Sequence, residues 1–334
     1  MARNEKDFGY YAASFLTDYL PSKKGCSQKT VVSYRDTLVL LIEFIEAGGR
    51  APVTFESIDA RSVEAFLDHL EADRGNSVST RNQRQAALNS FFAFVRTREP
   101  SLYSRLTQAM GVPRKRSAQP KMPYLTVAEV EALFACIDGS TKKGLRDKAM
   151  VGFLYEAAAR VEELTGCLRC QLRLGESPYV ELHGKGRKTR NVPITKGYAE
   201  LVGAYASAYD VCRDDQPLFV NRCGQPLTSK GVAYVLGKRL EAAAERMPSI
   251  GKKRITCHSL RHSRAMHLLE AGVNLIYIRD VLGHSSITTT EIYAKTNPEI
   301  KRRLLEEHGA SYTVTSRYTQ SERDDLAKWL RESF

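Results

Sequence analysis

The segment Pro113-Arg-Lys-Arg-Ser-Ala-Gln-Pro120-Lys121 constrains this chain of 334 residues more than any other. Its two prolines fix φ and withhold backbone donors, so neither a helix nor a sheet can run through it. A chain of this length exceeds the roughly 100 to 200 residues of one ordinary domain, and this is where it should divide. The charge divides at the same place. Residues 1–112 hold 14 Lys and Arg against 13 Asp and Glu, whereas the segment contributes four cations and no anion. Most of the net charge of +12 therefore lies in the connector and beyond it. We expect a domain over 1–112, a basic linker over 113–121, a second domain over 122–308 and a tail over 309–334.

A basic chain points to a polyanionic partner, and nucleic acid is the commonest. Apolar residues at 43% and charged residues at 26% suit globular domains and argue against wholesale disorder. No apolar run approaches the roughly 20 residues that span a bilayer, and residues 1–20 lack a signal-peptide core, so a cytoplasmic protein without a membrane partner is expected. Seven scattered cysteines do not form a disulfide framework. Cys167 and Cys170 make one CxxC with no second ligand pair, so no metal site is expected there.

Before the linker the periodicity is helical. Val31, Val32, Tyr34, Leu38, Leu41, Ile42 and Ile45 recur at steps of three and four up to Gly48-Gly49. Further helices are predicted over 60–71, 79–98 and, more weakly, 8–20. The third opens with Arg81, Asn82, Gln83, Arg84, Gln85 and Asn89. Arg, Asn and Gln read base edges in a major groove, so Arg81, Arg84 and Asn89 form either a DNA-reading face or a solvated one. Arg114, Lys115 and Arg116 of the linker suit a strap across a phosphate backbone.

After the linker, Thr126-Val-Ala-Glu129 is a capping box that opens a helix. A continuous helix is predicted over 146–168, with Arg160 and Glu163 one turn apart. Tyr179–His183 and 189–194 read as two strands around Gly184-Lys185-Gly186-Arg187-Lys188, a hairpin with Lys185 at its tip. A brief strand is expected over 217–220, and helices resume from Ser229. His258 and Arg261, three apart, share a helix face. His284 follows Leu282-Gly283, and Tyr293 lies nine residues further on. Tyr277, inside the apolar run 273–278, reads as core, and His262 and His267 as packing or supporting residues. A last helix over 321–334 carries the single tryptophan, Trp329, on its apolar side.

These side chains fit the needs of phosphodiester cleavage. Arginines match two phosphate oxygens at once, a general acid must protonate the leaving 5′ oxygen, and a nucleophile must attack in line. The chain offers Arg160, Arg261, His258, His284, Lys185 and Tyr293, and no obvious acidic cluster of the kind that holds Mg²⁺ in two-metal nucleases. Strand transfer through a covalent tyrosine, with neither metal nor other cofactor, is the expectation.

Arg160, Lys185, His258-Ser-Leu-Arg261-His, Leu282-Gly-His284 and Tyr293, in that order, resemble the active-site set of the tyrosine recombinases, the phage integrases and Xer-type recombinases. The resemblance covers nearly the whole chain. It implies a mainly α fold with a small antiparallel sheet in the catalytic domain, and a two-domain clamp on double-stranded DNA. It implies Tyr293 as nucleophile, Arg160, Arg261 and His284 as phosphate ligands, Lys185 as acid with Lys188 as an alternative, His258 as base, and Glu163 behind them. A homotetramer on double-stranded DNA completes the expectation, with a tail that docks either on a neighbouring protomer or on its own domain, and with room for DNA-bending accessory proteins as further partners. The family often has glycine where this chain has Ala157-Ala158-Ala159, a departure expected to favour helix. A type IB topoisomerase and a silent DNA-binding protein are the alternatives.

Overall fold

The computed structural model describes residues 7–117, 122–184 and 188–283. Lys185, His284, Tyr293 and the tail 309–334 lie outside the described residues, as does the end of the linker. The chain forms two compact units that divide between residues 120 and 121.

The first unit is helical: α1 Phe8–Ser14, a π-helical continuation Phe15–Lys23, α2 Gln28–Ala47, α3 Ala60–Ala72, α4 Val78–Arg96 and α5 Tyr103–Met110. Short polar side chains set the starts. Ser27, Asp59 and Ser77 each accept the N–H of the third residue onward, satisfying donors that the first turn leaves open. The core is aromatic, with Phe15, Phe66, Phe91, Phe92 and Phe94 buried where the helical spacing turns them inward. Fully burying each such ring is worth about 2 to 3 kcal/mol.

The second unit is mainly helical around a small sheet. Its elements are α6 Val127–Ala135, α7 Lys142–Glu156, α8 Val161–Thr165, β1 Leu172–Arg173, β2 Tyr179–His183, β3 Thr189–Pro193, α9 Lys196–Ala208, α10 Ser229–Arg246, α11 Pro248–Gly251, α12 Cys257–Glu270 and α13 Leu275–Leu282. The sheet is antiparallel in the order β1-β2-β3, with Leu182 opposite Arg190 and His183 opposite Thr189. Val180, Leu182 and Val192 pack inward on it. The hairpin closes through Gly184 N–H to the Lys188 carbonyl at 2.8 Å. No helix among the described residues is long and apolar enough to cross a membrane.

The structure corrects several expectations. The helix predicted over 146–168 breaks: α7 ends at Glu156, Ala158 adopts φ +45°, and α8 begins only at Val161. The alanines do not extend the helix, because the Ala158 carbonyl is needed elsewhere, as described below. The strand β1 was not expected, being only two residues long. Residues 217–220 form no strand but two isolated bridges, Leu168 to Pro217 and Val220 to Pro226. Tyr277 is not core: it is 67% exposed, because α13 buries Ile278 and Leu282 instead.

Candidate active site

Glu163 is the centre of the site in the second unit. Arg160 is the N-cap of α8, and its own backbone N–H donates to Glu163 Oε2 at 2.8 Å, which folds the carboxylate back over the helix start. Arg160 Nη1 donates to Oε1 at 2.8 Å. Arg190, on β3, forks across both oxygens, Nη1 to Oε1 and Nη2 to Oε2, each at 2.8 Å. Arg261 Nη1 comes within 3.9 Å of Oε2. Burial alone would raise the Glu163 pKa, but the hydrogen bonds from Arg190 and the Arg160 backbone, with the charges of both arginines, leave it below the ordinary carboxylate value.

Arg261 reaches this point from α12. Thr256 and Ser259 close a reciprocal capping box at the start of that helix, fixing the turn that carries His258 and, one turn on, Arg261. Arg261 is fully buried. A buried guanidinium must find acceptors, and it finds backbone carbonyls: Nη1 donates to Ala158 O at 2.7 Å, and Nη2 donates to Leu282 O. This explains the helix break. Only by leaving the α7 helix in a left-handed turn, at about 1 to 2 kcal/mol for a non-glycine residue, does the chain aim the Ala158 carbonyl at Arg261.

His258 is exposed at the start of α12. Desolvation on its protein-facing side, then the cations Arg261 and Arg160, lower its pKa, so the imidazole is neutral at physiological pH. Two neighbours on the helix serve packing. His267 Nε2 donates to Leu125 O at 2.8 Å, and its Nδ1 lies 2.7 Å from the Tyr155 hydroxyl. His262 is buried edge-on to Tyr124, and desolvation followed by the nearby His258 pushes its pKa down to about 4.

The described chain comes close to this centre at Gly184 and at Gly283. A Cβ built on Gly184, the residue before Lys185, would stand 3.5 Å from Glu163 Oε1. One built on Gly283, the residue before His284, would stand 2.9 Å from Arg190 Nη1. Gly283 has φ +58° and caps α13, a conformation glycine adopts without strain. Arg190 is the residue sequence reasoning missed. The signal was present: Arg190, Val192 and Ile194 alternate along one strand face, and an arginine on an apolar face needs a partner.

The candidate DNA-reading residues of the first unit fall out differently. Arg81 is 2% exposed, with Nε 2.9 Å from Glu71 Oε1 and Nη1 3.1 Å from Gln85 Oε1, so it does not face outward as expected. Arg84 Nη1 turns to Ser33 O at 3.1 Å and Thr37 Oγ1 at 2.9 Å. Asn89 is half-buried. Arg114, Lys115 and Arg116 are exposed, and Lys115 Nζ reaches Glu71 at 2.9 Å and Asp68 at 3.3 Å. Cys167 is buried, and burial pushes its thiol up to about 12.

Residues 123–299 match the family model of the phage integrase family, and residues 14–99 match the phage integrase N-terminal SAM-like domain. The chain belongs to the phage integrase family. It is 36% identical to the Sinorhizobium fredii integrase/recombinase y4rC over 95% of this chain and 96% of that one. It is 30% identical to the tyrosine recombinase XerC of Bacillus subtilis over 91% of this chain and 97% of that one. Among solved structures, the site-specific recombinase XerH bound to a palindromic difH substrate shares the fold, with a TM-score of 0.67 at 23% identity over 85% of this chain and 80% of that one. The chain is thus an enzyme of the tyrosine recombinases, mainly α with a small antiparallel sheet.

Proposed function

We propose that this recombinase cleaves and rejoins double-stranded DNA at defined sites through Tyr293. The phenol oxygen attacks the scissile phosphorus, giving up its proton to neutral His258, and a 3′-phosphotyrosyl bond forms as the 5′ oxygen leaves. Lys185, with Lys188 as the alternative, protonates that oxygen. Arg160, Arg261 and His284 hold the nonbridging oxygens and offset the charge that grows in the transition state. Glu163 orients the arginines. The phosphotyrosyl link conserves the energy of the broken bond, so attack by another strand's 5′ hydroxyl reseals the backbone without ATP.

The observation that carries this reading is the surplus of cations at Glu163: three arginines converge on one carboxylate, beside a neutral histidine. An unbalanced, partly buried positive site is a receptor for an anion. Gly184 and Gly283, which lie close to it, immediately precede Lys185 and His284 in the sequence. We extend the reading to the whole chain: 1–112 as the core-binding domain, 113–121 as the strap whose Arg114, Lys115 and Arg116 follow the backbone, and 122–308 as the catalytic domain. Exchange between two duplexes opens four strands with one tyrosine each, which requires four protomers on the DNA. The tail 309–334 would link them, and a DNA substrate fits an enzyme of the cytoplasm.

The test uses nicked duplexes tiling the DNA on either side of the gene for this chain. The wild-type protein should form a denaturant-resistant adduct with a subset of them, and Tyr293→Phe should form none. An adduct that persists in the Phe variant overturns the assignment.

A further inference from the structure

Arg190 has a part in this site that none of the proposed roles includes. It stands on β3 opposite Leu182 and two residues before Val192, on the inward face of the strand. Each of its three nitrogens has an acceptor. The fork takes Glu163 on both oxygens, and Nε donates to Val281 O at 2.8 Å, in the last turn of α13. One guanidinium therefore ties the hairpin strand that precedes α9, the carboxylate behind Arg160, and the end of α13 to a single point.

We propose that Arg190 is a positioning residue for strand cleavage, resting on the recombinase reading above: it occupies the Glu163 carboxylate so that Arg160 is tethered without being consumed. A carboxylate and a guanidinium left alone adopt the two-bond fork. Here that fork belongs to Arg190, and Arg160 is left with a single side-chain bond, from Nη1 to Oε1. Its remaining donors are then directed by the substrate. Without Arg190, Glu163 takes the Arg160 fork for itself and turns it from the phosphate, while the hairpin and α13 lose their common anchor. Gly283 belongs to the same device, because any side chain there would meet the Arg190 guanidinium.

The experiment measures adduct formation on the nicked duplex that wild-type protein cleaves, comparing Arg190→Gln, Arg190→Lys, Glu163→Gln and the Arg190→Gln/Glu163→Gln pair. Misplacing a reacting group by about 1 Å lowers turnover on the order of 10²-fold, so Arg190→Gln should lower kcat by about that factor with KM for the duplex little changed. Arg190→Lys keeps the charge and loses the fork, and should fall between. The decisive readout is rescue: the double variant should cleave about tenfold faster than Arg190→Gln alone, because a neutral amide at position 163 no longer competes for Arg160. Residue 190 acting only on hairpin stability would show a lowered Tm and no rescue. A wild-type rate in Arg190→Gln, or a double variant no faster than that single, overturns the inference. No adduct from wild-type protein on any duplex defeats the recombinase reading and this inference with it.

Discussion

Each unit of the molecule buries an arginine against a glutamate, and the two clusters end differently. In the first, Arg81 and Lys115 meet Glu71, and Lys115 also meets Asp68: two cations against two carboxylates. In the second, Arg160, Arg190 and Arg261 share Glu163. The first cluster is closed. Arg81 pairs with Glu71 and donates to Gln85 and Asn82, and the Lys115 carbonyl accepts from Asn82 Nδ2 at 2.8 Å, so the cluster holds the start of the linker against α3 and α4. The second sets three guanidinium groups against one carboxylate, a surplus that the proposed function assigns to a phosphate. On the function proposed above, the same residue types serve the fold in one place and chemistry in the other, and the charge balance within the cluster separates the two uses.

The largest effect should come from Arg261→Gln, which attacks the open cluster where it is also structural. Adduct formation should fall by about 10² to 10³-fold, as for loss of an oxyanion contact. The fold should also lose about 3 kcal/mol, because the Ala158 and Leu282 carbonyls lose a buried donor. Thermal melts beside the cleavage assay check both parts; wild-type stability would show that the helix break at Ala158 does not depend on Arg261.

A smaller effect follows from pH. His262 has a folded pKa of about 4 against an ordinary 6.5, so the unfolded chain binds its proton more readily. Its contribution is intact above about pH 6.5 and erodes on acidification until about pH 4. Between pH 6.5 and 5 the loss should be about 2 kcal/mol, at 1.36 kcal/mol per unit. Denaturant melts of His262→Phe should show a flatter acid limb than wild type. Glu163 acts the same way at lower pH: its pKa is depressed, so its stabilisation is present above the ordinary carboxylate range and lost below it.

The part of this site that lies among the described residues was partly legible in the sequence, where the signals were local. The capping box at Thr126, the glycine-bearing hairpin turn and the three-residue step from His258 to Arg261 are set by neighbours in the chain. The break before Arg160 was not legible. Three alanines favour helix, and what overrides them is Arg261, 103 residues beyond Ala158. Arg81 misled for a related reason: a polar run on a helix looks solvated until Glu71 and Gln85 are seen to take its donors inward. Arg190 could have been found from its place in the strand alternation, although its partners could not.

The contrast between the clusters is tested most directly by measuring adduct formation per folded molecule for Arg160→Gln and Arg81→Met side by side. We expect a loss of about 10² to 10³-fold for Arg160→Gln with little change in Tm. For Arg81→Met we expect a destabilisation of about 2 kcal/mol with the cleavage rate of the folded fraction unchanged. A full cleavage rate in Arg160→Gln would contradict the division between an open, chemical cluster and a closed, structural one.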